Sequence, residues 1–181
     1  MTVQTLVILA IGAVVLTFLG WMLRSYTKQR GPRVITCPET LTPEGVEVDA
    51  GHAAVTGLMG HQELRLSNCT RWPEKAGCGQ ECLTQIRQVA SGCMVRTIVA
   101  DWYKDKTCAL CQRPVGDREW MEHEPALMDP RDQRHVTQAL KDIRVETLWT
   151  VLETHVPVCW NCHVAETFRR EYPDLVIDRP S

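Results

Sequence analysis

Two Cys-x-x-Cys pairs constrain this sequence more than any other feature. They are Cys108-Ala-Leu-Cys111 and Cys159-Trp-Asn-Cys162, and 47 residues separate them. Each pair can occupy two adjacent vertices of a tetrahedron, and the insert between the pairs can fold back on itself to bring them together. The spacing therefore predicts that four thiolates converge on one tetrahedral metal ion, for which zinc is the expected occupant.

Residues 3–23 form an uncharged apolar run near the N-terminus, in which only Gln4, Thr5 and Thr17 have polar side chains. Twenty-one helical residues at about 1.5 Å each span roughly 30 Å, the thickness of the hydrocarbon core of a bilayer. A cleaved signal peptide is disfavoured because no basic residue precedes the run and no small-x-small cleavage site follows it. The run predicts a transmembrane anchor over residues 1–23.

The charges around this run predict its orientation. Residues 24–33 form a basic juxtamembrane linker without an acidic residue, whereas no lysine or arginine precedes the run; the linker carries Arg24, Lys28, Arg30 and Arg33. The positive-inside rule predicts a single-pass protein of the cell membrane, with its N-terminus outside and its C-terminal domain in the cytoplasm. A reducing cytoplasm disfavours structural disulfides and favours metal thiolates.

Cysteine content and charge restrict the class of protein further. Nine cysteines and only 6% aromatic residues indicate a small core that needs cross-links to supplement it. Residues 34–181 carry 16 basic and 22 acidic residues, a formal charge of −6. Binding to nucleic-acid phosphates needs net positive charge, so we expect the membrane and a protein as partners, and no nucleic acid.

Residues 34–103 are predicted to form a first cysteine-rich α+β module. The residue pattern predicts, in order, strands over 33–36, 46–49 and 63–66, a helix that opens with Cys78-Gly-Gln-Glu-Cys82 and ends at Gly92, and a β-rich segment over 94–100. Residues 50–60 are expected to form a short helix or loop. Cys37 is expected at the edge of the first hairpin.

Four cysteines of this module form a second possible ligand set with irregular spacing: Cys37, Cys69, Cys78 and Cys82. We expect a second zinc ion there, and an iron–sulfur cluster is the alternative. His52 or His61 could replace one ligand, although a histidine in a loop is more often simply solvated. Cys93 has no partner nearby in the sequence and is expected to be a buried packing residue.

Residues 104–181 are predicted to form a second module. The expected elements are a cysteine knuckle at 108–111, a hairpin from 124–128 to 133–136, an amphipathic helix over 138–154 with Thr137 as N-cap, and a helix over 159–172 stopped by Pro173. A knuckle, a hairpin and a helix that opens with the second cysteine pair resemble the treble-clef class of zinc-binding module, over residues 105–172. The resemblance is architectural, and treble clefs serve many functions.

The fold class expected for the whole chain is therefore α+β: one N-terminal transmembrane helix, followed by small metal-stabilised modules of short hairpins and helices. Two other uses of the cysteine pairs remain open. Cys159-Trp-Asn-Cys162-His163 matches the Cys-x-x-Cys-His pattern of haem c attachment, which requires the opposite topology. Rubredoxin-like iron would also use two such pairs, but the proline and glycines typical of rubredoxins are replaced by residues such as Gln112 and His163.

Catalysis has little support in the sequence. The chain contains no nucleophile elbow, phosphate loop, dinucleotide fingerprint or His-Glu-x-x-His. The acid–histidine neighbours His123-Glu124 and Glu153-x-His155 are interpreted as surface charge, because neither implies a pocket or a nucleophile. The leading hypothesis is a membrane-anchored zinc protein with a structural, assembly or interaction role. A membrane-tethered electron-transfer subunit comes next, and a membrane-bound hydrolase or transferase last.

Overall fold

The structure is a computed structural model that describes residues 2–75, 77–89, 91–115, 125–132 and 136–175. Its internal contacts divide the chain into two compact units, Met1–Met94 and Val95–Ser181. Each unit has its own three-stranded antiparallel sheet. One N-terminal apolar helix, small antiparallel hairpins and short helices confirm the predicted α+β fold class.

Helix α1 (Val3–Gln29) contains the whole apolar run, and all of its residues are exposed or only partly buried. Its length and composition are sufficient to cross a membrane. At about 1.5 Å per residue it extends roughly 40 Å, beyond the hydrocarbon thickness of a bilayer. The helix ends where the Arg30 N–H donates to the Tyr26 carbonyl at 3.0 Å and Gly31 turns the chain with a φ of 124°. Glycine suits this position because L side chains rarely adopt that φ.

The sheet of the first unit has the order β1-β2-β3, from β1 (Pro32–Thr36), β2 (Pro43–Val48) and β3 (Leu66–Cys69). The β1–β2 hairpin was predicted, with Cys37 directly after β1. Strand β3 lies three residues later in the chain than predicted. Its position is set by pairing with β2, since Val46 lies opposite Cys69 and Val48 opposite Leu66. Such pairing is a long-range contact that the alternation of residues 63–66 does not reveal.

Two helices complete the first unit, α2 (Ala50–Leu58) and α3 (Leu83–Gln88). Helix α3 is shorter than predicted: it starts after Cys82 instead of at Cys78, because Gln80 has a φ of 55° that a right-handed helix does not contain, and it ends at Gln88 instead of Gly92. Asp49 caps α2, because its Oδ1 accepts from the His52 backbone N–H at 2.9 Å. Helix α2 packs against α1, with Gly57 near the Trp21 ring. Side chains from the sheet and from α3 form the core, namely Ile35, Val46, Val48, Leu66, Leu83 and Ile86.

The second unit is built around a central strand. Its elements, in chain order, are α4 (Val95–Tyr103), β4 (Ala126–Met128), β5 (Thr137–Ala139), α5 (Leu148–Thr154), β6 (Val156–Val158) and α6 (Trp160–Glu171). The sheet has the order β5-β4-β6, so that Ala126 lies opposite both Ala139 and Val158. Short 3-10 turns lie at Leu140–Asp142, Val145–Thr147 and Pro173–Leu175.

Three predictions for local structure are corrected here. Residues 94–100 are not a strand: α4 covers most of them, because Val99 and Tyr103, four residues apart, place buried side chains on one helix face. Only the second half of the helix predicted over 138–154 is α-helical, as α5, and Thr137 belongs to β5 instead of capping a helix. The β4–β5 pairing confirms a hairpin, but its second strand begins at Thr137, directly after the predicted return strand; residues 124 and 133–135 of the predicted hairpin lie outside the described residues.

Tyr103 gives a first test of this packing. The side chain is 1% exposed, and its hydroxyl donates a 2.7 Å hydrogen bond to the Ala126 carbonyl. We expect Tyr103→Phe to destabilise the second unit by about 1 to 3 kcal/mol, because the buried acceptor loses this donor. Thermal unfolding of the full chain measures the change. Tyr172→Phe, at a half-exposed position of the same unit, is the control and should leave the midpoint unchanged.

Candidate metal centre

The four sulfur atoms of Cys108, Cys111, Cys159 and Cys162 all lie within 4.8 Å of one another. The Cys111 and Cys159 Sγ atoms are 3.7 Å apart. In a tetrahedral zinc site with Zn–S distances of about 2.3 Å, neighbouring sulfurs are separated by roughly 3.8 Å. The two sequence pairs therefore converge as predicted, at a separation that fits one tetrahedral metal ion.

A tight backbone knuckle positions the first pair. The Cys108 N–H donates to the Arg113 carbonyl at 2.8 Å, and the Gln112 N–H donates to the Cys108 carbonyl at 2.9 Å. Gln112 has a φ of 59°, which lets the chain reverse directly after Cys111. The knuckle is fixed to the sheet because the Ala109 N–H donates to the Pro157 carbonyl in β6 at 2.8 Å.

Strand β6 and helix α6 position the second pair. Pairing of β6 with β4 brings the chain to Cys159, which occupies the N-cap position of α6, and Cys162 lies in the first turn of that helix. The predicted helix over 159–172 is thus confirmed. Unpaired backbone N–H groups in a first helical turn favour negative charge, so they stabilise thiolates placed there.

Hydrogen bonds within the quartet favour the thiolate form of one cysteine, Cys108. Cys108 is fully buried, which opposes its ionisation, but backbone N–H groups from both halves of the site outweigh burial and lower its pKa to about 7. One of them, the Cys159 N–H, lies 3.3 Å from the Cys108 sulfur. Burial raises the pKa values of Cys159 and Cys162. A bound dication favours the thiolate form of all four ligands, so metal binding would release protons.

His163 follows the second pair directly, as the haem c pattern requires. Its Nδ1 lies 2.7 Å from the Thr137 hydroxyl in β5, and Thr137 is itself buried. This contact ties α6 to the sheet, and desolvation lowers the pKa of the His163 imidazole. The geometry favours the four-thiolate interpretation over haem attachment, because Cys159 and Cys162 share one sulfur cluster with Cys108 and Cys111.

The four cysteines of the first unit surround a cavity instead of converging on one point. Cys37, Cys69, Cys78 and Cys82 line one cavity of about 440 Å³. Among the described residues, however, only the quartet of the second unit brings three or more possible ligand atoms within 4.8 Å of one another. The prediction of two metal sites is thus supported at one site. His52 and His61 are absent from the described lining of this cavity, and His52 instead faces Glu63 at 3.6 Å.

The thiols around this cavity differ in their ease of ionisation. The Thr40 backbone N–H is the main cause that lowers the pKa of Cys37 to about 7, and the Arg71 guanidinium contributes from 3.1 Å. Burial, followed by the repulsion from the nearby thiols Cys69, Cys78 and Cys37, raises the pKa of Cys82 to about 11. The four thiols therefore share one electrostatic environment although their sulfurs do not converge.

Several residues near these sites were not identified from the sequence. Arg71 and Trp72 line the cavity of the first unit and follow Cys69 by two and three residues. That proximity to a candidate ligand is the one sequence signal that could have found them. Cys93 packs against the core of the first unit, as the sequence predicts, but it is partly rather than fully buried. Of the acid–histidine neighbours, His123-Glu124 lies outside the described residues.

Comparison with known proteins gives no relative: no protein-family model, no curated protein and no solved structure matches this chain. A functional assignment consequently depends on the chemistry of the sites themselves.

Proposed function

We propose that this chain is a single-pass membrane protein whose C-terminal unit is held together by a structural zinc ion. The observation that carries the proposal is the convergence of Cys108, Cys111, Cys159 and Cys162, with sulfurs at zinc-like separations. Four thiolates in a tetrahedral arrangement suit zinc, which has no further geometric preference of its own. A set of four protein ligands leaves no open position for substrate, so the ion would have a structural role rather than a catalytic one.

The order of elements around the quartet supports a treble-clef-like module. A knuckle carries the first cysteine pair, the β4–β5 hairpin follows, and the second pair opens α6. In such an arrangement the metal joins a loop, a strand end and a helix start. Among the described residues, the hydrophobic cluster beside the site has four buried side chains, namely Cys108, Ala126, Met128 and Val158. Zinc would supply much of the stability of the unit.

The membrane location and its orientation are also part of the proposal. Helix α1 is long and apolar enough to cross a bilayer, and its exposed side chains would face lipid. The basic residues of the linker follow the apolar run, which supports an external N-terminus and a cytoplasmic C-terminal domain. A reducing compartment would keep the thiols available for metal.

The role that fits these features is that of an interaction or assembly module beside the membrane. Residues 34–181 carry a net charge of −6, and a zinc ion bound by four thiolates adds two further negative charges. An acidic surface of this kind favours a basic protein partner over nucleic acid. Because the chain is anchored, its partner would be a membrane protein or a cytoplasmic protein recruited to the membrane.

Metal content tests the proposal. We expect the full chain, purified in detergent, to contain zinc that depends on the quartet, so that Cys159→Ser loses at least nine-tenths of it. Cys93→Ser is the matched control and should keep its zinc, because Cys93 packs in the other unit. Elemental analysis of both variants and the wild type gives the answer. Equal zinc in all three proteins would contradict the assignment of the ligands.

A further inference from the structure

The cavity of the first unit has more room than a single metal ion needs. Its cysteines come from three places: Cys37 follows β1, Cys69 ends β3, and Cys78 and Cys82 lie in the segment before α3. Cys69 and Cys82 are buried, whereas Cys37 and Cys78 are partly exposed. The four thiols, from the sheet and from the segment after it, thus line one cavity of about 440 Å³.

The separation of these thiols distinguishes between two kinds of metal centre. One zinc ion draws its four sulfurs to within roughly 3.8 Å of one another, given Zn–S distances of about 2.3 Å. Within the described part of the chain, that convergence occurs at Cys108 and its three partners but not around this cavity. In a polynuclear iron–sulfur cluster the cysteines bind different iron atoms, so the thiolates surround the cluster at greater separations. The cavity fits the second kind of centre.

The wall of the cavity also offers hydrogen-bond donors. The Trp72 indole N–H is buried and has no hydrogen-bond partner in the described structure, and Trp72 lines the cavity. Buried donors are normally paired, so this one indicates that an acceptor belongs nearby. The Arg71 guanidinium donates to the Cys37 sulfur at 3.1 Å. Sulfide and thiolate sulfurs of an anionic cluster accept hydrogen bonds from such donors.

The charges around the cavity are compatible with an anionic group. Glu39 is at the wall, but Arg71 and Lys75 both pair with its carboxylate. Glu44 and Glu81 are also at the wall, and the Glu44 carboxylate accepts from the Thr70 hydroxyl at 2.6 Å. Ile35, Leu66 and Trp72 supply an apolar side, which limits the access of water.

We propose that this cavity binds an iron–sulfur cluster of more than one iron through Cys37, Cys69, Cys78 and Cys82, with Trp72 and Arg71 donating to its sulfurs. The proposal goes beyond a structural zinc role and does not depend on it, because the two ligand sets share no residue. It would give the membrane-anchored chain a redox-active centre in addition to a redox-silent zinc ion.

Anaerobic reconstitution of the full chain in detergent tests the proposal. The protein is incubated with ferric and ferrous iron, sulfide and two equivalents of zinc, then desalted and analysed for iron, acid-labile sulfide and zinc. We expect iron and sulfide in equal amounts, at two to four atoms each per chain, and a broad absorbance near about 400 nm that dithionite bleaches. Uptake of a second zinc in place of iron, or iron without sulfide, would overturn the proposal.

Variants separate this centre from the proposed zinc site. Cys69→Ser and Cys82→Ser should each lose at least four-fifths of the iron and sulfide and keep the zinc, whereas Cys159→Ser should lose zinc and keep the cluster. Cys93→Ser is the control that keeps both. If Cys69→Ser and Cys93→Ser retained equal iron and sulfide, the assignment of the ligands would fail.

Replacement of Trp72 gives a second test. Trp72 is not a proposed ligand, so its replacement should change the midpoint potential of the cluster without removing the iron. We expect Trp72→Phe to retain iron and sulfide but to shift the midpoint potential of the cluster to a more negative value, because fewer hydrogen bonds then stabilise the reduced form. A redox titration followed by visible absorbance measures the shift. An unchanged midpoint potential would show that the Trp72 indole does not donate a hydrogen bond to the cluster.

Discussion

Cys159→Ser is expected to unfold the C-terminal unit while the first unit keeps its structure. Cys159 connects β6 to α6 and contributes one sulfur to a quartet that also fixes the knuckle. Structural zinc contributes apparent binding energies of about 10 to 16 kcal/mol in small zinc-finger peptides. Whole domains are typically stable by only about 5 to 15 kcal/mol. The loss of one ligand can therefore exceed the entire stability of this unit.

Hydrogen exchange measured by mass spectrometry resolves this effect by region. Peptides from β4, β6 and α6 should lose protection in Cys159→Ser, and the same result is expected for Cys108→Ser, Cys111→Ser and Cys162→Ser. Peptides from the β1–β3 sheet should stay protected, because they belong to the other unit. Cys93→Ser is the thiol control and should cost about 1 kcal/mol, as an ordinary point change does. Damage from Cys93→Ser as great as that from Cys159→Ser would show that the ligands are wrongly assigned.

The second large effect concerns the orientation in the membrane. We expect a fluorescent-protein fusion after Ser181 to be bright and an alkaline phosphatase fusion at the same position to be inactive, since the first matures in the cytoplasm and the second only outside it. The physical reason is the excess of basic residues on the C-terminal side of α1. The opposite pair of results would place the cysteines outside the cytoplasm and restore the haem c interpretation.

The structure indicates which of the basic residues to change. Arg33 is 2% exposed, and its guanidinium donates to the Gly92 carbonyl and to Gln29 Oε1, so its replacement would disturb the fold of the first unit. Arg24, Lys28 and Arg30 are exposed or partly exposed on the helix end. The triple glutamine variant of these three should give mixed or inverted orientation of the fusions, whereas the charge-preserving variant Arg24→Lys, Lys28→Arg, Arg30→Lys is the control and should keep the original orientation.

The features that the sequence predicted well are those with a short-range cause. Residues 3–23 contain no charge, so α1 was predictable from composition and length alone. Helix α6 was predictable because Val164, Phe168 and Tyr172 recur every four residues between Cys159 and Pro173. The convergence of the C-terminal quartet followed from the regular spacing of its two pairs, which the chemistry of a tetrahedral ion requires.

The features that were missed depend on long-range contacts. Residues 94–100 are rich in β-formers, yet α4 forms there because burial of Val99 and Tyr103 outweighs intrinsic propensity. The position of β3 is set by pairing with β2, which its own residues do not encode. The cysteines around the first-unit cavity are spaced irregularly along the chain. Irregular spacing in the sequence does not predict the distances between their sulfur atoms.

X-ray absorption at the zinc edge identifies the ligands of the zinc ion itself, because it reports only on atoms bound to zinc even if iron is present elsewhere in the chain. For the full chain, we expect about one zinc per chain by elemental analysis, surrounded by four sulfur atoms at about 2.3 Å, without nitrogen or oxygen neighbours. A zinc ion bound by oxygen or nitrogen, or a chain purified without zinc that stays folded over residues 95–181, would contradict it.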